Sequence, residues 1–60
     1  RKIMIGTLWK STSGICVCTE HKDGFMFFIY LDNPQATCCS HESTLHTYYT
    51  QLTQPTEKHE

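Results

Sequence analysis

Sixty residues with a formal net charge of −1 confine this chain to one small domain. A chain of that length buries only about 60% of its unfolded surface, so its core is expected to need reinforcement by a disulfide, a metal or a second chain. There is no Lys/Arg cluster to bind nucleic acid and no apolar run of the ~20 residues that membrane insertion takes, so neither partner is expected.

The first element is a strand from Lys2 to Trp9, with Ile3, Ile5, Thr7 and Trp9 on one alternating set and Met4, Gly6 and Leu8 on the other. Lys10 to Gly14 is polar and ends in Gly, which predicts a loop. Ile15 to His21 reads as a second strand and Phe25 to Leu31 as a third. The Asp23-Gly24 pair between them is a strong signal for a two-residue type I′ turn. A regular hairpin on that turn sets Lys22 against Phe25, Cys18 against Ile29 and Cys16 against Leu31. The expected core face then carries Cys16, Cys18, Phe25, Phe27, Ile29 and Leu31. The opposite face carries Val17, Thr19, Met26, Phe28 and Tyr30.

Beyond Asp32 the pattern changes. Asn33 suits a helix N-cap and Pro34 the first helical position. Leu45, Tyr48, Tyr49 and Leu52 follow at i, i+3, i+4 and i+7, so the spacing predicts a helix over about Pro34 to Thr53, ended by Pro55. A strand over Thr44 to Thr53 is the rival, because five threonines between Thr37 and Thr53 weaken helix propensity. The predicted fold class is α+β: a small disulfide-stabilised domain, a three-stranded antiparallel β-meander with one C-terminal helix, with an all-β chain as the alternative. Residues 1–54 form the single disulfide-rich domain and 55–60 a polar C-terminal tail.

Cys16, Cys18, Cys38 and Cys39 dominate the chemistry of the sequence. Cys16 and Cys18 lie two apart on a predicted strand and so share a face. Adjacent cysteines seldom bond to each other, so Cys16 and Cys18 are expected to cross to Cys38 and Cys39, with the connectivity open. An even cysteine count in a short chain points to an oxidising, extracellular compartment. Arg1 in place of Met is read as the start of a mature or excised product. The alternative is zinc, held by Cys16, Cys18, Cys39 and His41, which implies a reducing compartment. Without zinc no cofactor is expected. Cys39 with His41 or His46 is a nominal thiol and base, but no Gly-rich phosphate loop, paired carboxylates or nucleophile elbow accompanies it, so no enzyme is expected.

The leading functional expectation is a secreted, non-enzymatic binding protein, whether ligand, toxin-like effector or inhibitor. It would act on a protein partner (a receptor or a target enzyme) from a disulfide-stapled scaffold. Trp9, Met26, Phe28 and Tyr30 are the candidate contact residues, as types that serve binding surfaces, although any small core would use the same ones. An intracellular zinc-stabilised interaction module is the alternative. A self-assembling structural subunit, a homodimer in its simplest form, is the third reading.

Overall fold

The computed structural model describes residues 2–53 and 56–57. In chain order the elements are β1 (Lys2–Ile3), β2 (Leu8–Ser11), β3 (Gly14–Lys22), β4 (Phe25–Tyr30), β5 (Asn33–His41), α1 (Leu45–Tyr48), β6 (Thr50–Gln51) and β7 (Thr56–Glu57). Five strands form one antiparallel sheet in the order β5-β4-β3-β2-β6, and β1 pairs separately with β7. This replaces the predicted three-stranded meander with a long C-terminal helix. Of the tail expected at 55–60, residues 56–57 pair with β1, and the rest lies outside the described residues. No helix among the described residues is long and apolar enough to cross a membrane.

The β3–β4 turn forms where the sequence puts it. Asp23 and Gly24 both have positive φ, 54° and 82°, as a type I′ turn requires, and Lys22 pairs with Phe25. The register then departs from the regular hairpin. A bulge between Cys18 and Glu20 makes Thr19 an extra residue, so Cys18 pairs with Phe28 and Cys16 with Tyr30. Because side chains alternate along a strand, that single residue exchanges the two faces of β4. The cysteines of β3 lie with Met26, Phe28 and Tyr30, not with Phe27, Ile29 and Leu31.

The helix prediction fails over 33–41 because the segment completes the sheet. From Thr37 to His41 it pairs residue by residue with β4, and Pro34 sits where the register jumps between Ile29 and Tyr30 rather than at a helix start. Pro tolerates such an edge-strand irregularity, where no ladder N–H is asked of it. Of the helical stripe, only the turn Leu45–Tyr48 forms, and its N-cap Thr44 makes no side-chain capping bond. One turn cannot repay helix nucleation by itself. It is held by burying Leu45 in the core.

That core is Trp9, Cys16, Cys18, Met26, Phe28 and Leu45, with Met4, Tyr30, Cys38 and Tyr49 packed against it. Trp9 meets Phe28 edge-on at 6.2 Å, and Tyr49 stacks on Phe28 at 5.1 Å. The buried indole N–H is satisfied: Trp9 Nε1 donates to Thr7 Oγ1 at 2.8 Å, and Thr7 Oγ1 donates to the Met4 carbonyl at 2.6 Å. Trp9, Met26 and Phe28, expected among the contact residues, are instead buried in the core, and Tyr30 is half-buried beside them.

Candidate functional site

The four cysteines form no disulfide. The topology gives the reason. β4 lies between β3 and β5, and one cross-sheet row runs Cys18, Phe28, Cys38. Two strand spacings come to roughly 10 Å between Cα atoms, beyond the ~4.4–6.8 Å that a disulfide spans. Cys38 and Cys39, as neighbours on a strand, point to opposite faces. The stapled, toxin-like scaffold is therefore absent, and the inference of secretion drawn from cysteine pairing falls with it.

The thiols serve packing instead. Cys16 donates weakly to the Trp9 carbonyl at 3.6 Å, and Tyr49 Oη donates to Cys38 Sγ at 3.3 Å. Burial pushes the Cys16 thiol up to about 11, with the neighbouring Cys38 thiol adding to the shift. Burial also raises Cys18 and Tyr49. Buried thiols held protonated are poor nucleophiles and poor metal ligands.

The alternative zinc set is divided by the sheet. Cys16 and Cys18 are on the inner face, whereas Cys39 and His41 pair with Phe27 and Phe25 on the outer one. His41 packs edge-on against Phe25 at 4.9 Å and accepts the Ser43 backbone N–H at its Nδ1. Among the described residues no group of three or more His, Cys, Asp or Glu side chains is placed to hold a metal ion.

Two features remain with chemistry to offer. The first is the outer face of the sheet. Leu8, Val17, Ile29 and Thr37 form one cross-strand row, and Glu20, Phe27 and Cys39 the next. Lys22, Phe25 and His41 form the third. Phe25 and Phe27 are 43% and 38% exposed, and Ile15, on the same side of β3 as Val17, is 41% exposed. At ~4.8 Å between strands and ~3.4 Å per residue, these rows, their polar members included, span roughly 300 Å² in plane, the low end of the ~300–600 Å² of the largest apolar patch on an ordinary monomer.

The second is a cavity of about 300 Å³ on the other side, where β6 and α1 meet the sheet. Met4, Trp9, Met26 and Leu45 make its apolar wall. His21, Glu42, His46 and Gln51 supply its polar groups. His21 Nε2 and Glu42 Oε2 are 2.8 Å apart, and the His46 ring lies 5.6 Å from Trp9. Gln51 faces Trp9 across the β2–β6 pair, and its Nε2 is buried with no hydrogen-bond partner among the described residues.

No protein-family model matches the chain, and neither a curated protein nor a solved structure is similar to it. The functional reading therefore rests on geometry. The contact residues expected from the sequence, Trp9, Met26, Phe28 and Tyr30, lie on the inner face, and the outer face carries the other half of the apolar residues of β4, Phe25, Phe27 and Ile29. The signal for the other half was the unbroken run Phe25 to Tyr30, which lacks the polar alternation of a strand wet on one side. Gln51 and Glu42 carry no local pattern that would single them out.

Proposed function

We propose that this chain is a non-enzymatic interaction domain that associates with a second copy of itself through the outer face of its sheet. The observation that carries the reading is β4. It is apolar on both sides, yet the described chain covers only the side of Met26 and Phe28. A sheet with two apolar faces needs a layer on each.

A second copy fits the rim of the patch. On the outer side of β3, Glu20 and Lys22 stand next to Phe27 and Phe25. In a two-fold, isologous contact, Lys22 of one copy meets Glu20 of the other. The net charge of −1 offers little repulsion between copies.

Sedimentation across a concentration series tests this. The expected result is a monomer–dimer equilibrium that Phe27→Glu abolishes without lowering the melting temperature by more than a few degrees. A wild-type chain that stays monomeric up to about 1 mM, the weak end of measurable affinity, overturns it.

A further inference from the structure

We propose that the cleft between the β2–β3 turn and α1 binds a neutral pyranose sugar, with the Tyr48 ring against the sugar's apolar face and Ser and Thr hydroxyls around its rim. This site is separate from the outer face and does not depend on self-association.

Every residue that lines this cavity of about 340 Å³ carries a hydroxyl. The β2–β3 turn supplies Ser11, Thr12 and Ser13, and the end of β4 supplies Tyr30. Thr47 and Tyr48 of α1 and the adjoining Tyr49 close the other side. The inner hydroxyls are tied to the fold. Ser11 Oγ donates to the Gly14 carbonyl at 3.3 Å and accepts from Tyr30 Oη at 3.2 Å, and Tyr49 Oη donates to Cys38 Sγ. Thr12, Ser13, Thr47 and Tyr48 are exposed, Tyr48 to 70%. A ligand therefore meets them without any change in the core.

The exposed part of the lining selects the ligand. It holds no charged side chain, so neither a cation nor an anion finds a counter-charge. A hydroxyl both donates and accepts, so a set of hydroxyls is matched by other hydroxyls. An open-chain polyol matches them but offers nothing flat to Tyr48. A plain aromatic or aliphatic ring covers Tyr48 but displaces water from the hydroxyls without replacing its hydrogen bonds, which costs affinity. A pyranose satisfies both. Its axial C–H groups lie against the negative face of the Tyr48 ring, and its equatorial hydroxyls reach outward to Thr12, Ser13 and Thr47. The volume is at the small end for ligand sites, which suits one sugar ring or two.

The test is titration of the isotopically labelled chain with methyl β-glucopyranoside and with methyl β-galactopyranoside, followed by NMR at the Tyr48 ring and the Thr12 and Thr47 methyl groups. Glycerol is the control with hydroxyls and no ring, and cyclohexanol the control with a ring and a single hydroxyl. Saturable shifts of these reporters are expected with at least one glycoside, at a dissociation constant on the order of 1–10 mM, as suits a ligand of so few atoms. Tyr48→Ala should weaken that binding about tenfold, and Tyr48→Phe, which keeps the ring, by less than about threefold. Thr47→Val, which exchanges the hydroxyl for a methyl group of the same shape, should weaken it by about threefold to tenfold. These variants should leave the melting temperature within a few degrees of the wild type, because the side chains are exposed. The proposal is overturned if neither glycoside gives a saturable shift, if glycerol or cyclohexanol binds as tightly, if Tyr48→Ala binds undiminished, or if Tyr48→Phe loses as much as Tyr48→Ala.

Discussion

Phe27 and Phe28 are neighbours on one strand, yet they belong to different environments. Phe28 is 1% exposed, between Trp9 and the stacked ring of Tyr49, whereas Phe27 is 38% exposed between Glu20 and Cys39. The two faces of the sheet are built from similar residues and differ in what covers them. Met4, Leu45 and Tyr49 close the inner face, and no described residue closes the outer one. In so short a chain there is enough covering material for one face. Apolar composition alone therefore does not say which side is core.

The largest effect expected from this contrast is on stability. Phe28→Ala should cost about 3–5 kcal/mol, enough to unfold a domain of this size, while Phe27→Ala should change the monomer by less than about 1 kcal/mol. Chemical denaturation of both variants at low concentration measures the difference. Comparable losses would mean that the faces are equally buried.

Alkali is the next probe, because the inner thiols ionise only with difficulty. The Cys16 thiol is pushed up to about 11 in the folded chain, whereas an ordinary thiol ionises near 8.5–9. A raised folded value means that the folded state holds its proton more tightly. Its stabilisation is whole below the unfolded value and is lost as pH rises through about 11. The loss from Cys16 is on the order of 2–3 kcal/mol, and the raised Cys18 and Tyr49 act in the same direction. Melting temperature against pH should fall from about pH 9 upward, and less steeply in Cys16→Ala. Identical slopes would remove the effect assigned to Cys16.

A smaller effect is expected at the turn that joins the faces. Gly24 has φ of 82°, and a Cβ there would meet His41 Nε2 at 2.9 Å. Gly24→Ala should cost about 1–2 kcal/mol from backbone strain and displacement of His41. A thermal melt of this variant beside Gly24→Ala with His41→Ala separates the two parts. If removing the imidazole restores nothing, the strain lies in the backbone alone.

Much of the local structure was legible in the sequence. The Asp23-Gly24 turn, the partnership of Lys22 with Phe25 and the strands on either side follow from residue chemistry that acts over a few positions. The bulge at Thr19 does not. It reconciles a register set by the turn with one set by Trp9, Phe28 and Leu45, and two of those three lie outside the hairpin. The same holds for β5. Its alternation is weak, and the spacing of Leu45, Tyr48, Tyr49 and Leu52 makes no helical face: Tyr49 is extended, and Tyr48 and Leu52 are exposed. Pairing with β4 decided that segment, and no local signal announces pairing. The cavity was least legible, since Gln51 acquires its buried amide from a two-residue strand added to β2.

The division of Cys38 from Cys39 has a kinetic consequence. Cys39 is open to solvent, Cys38 is half-covered beside Tyr49, and Cys16 and Cys18 are sealed in the core. A thiol reagent added under native conditions should therefore consume the four groups in sequence, each successive rate reporting a deeper opening of the sheet. The single chain carries its own clock for breathing, graded from a thiol exposed on the outer face to a centre that opens only when the domain comes apart.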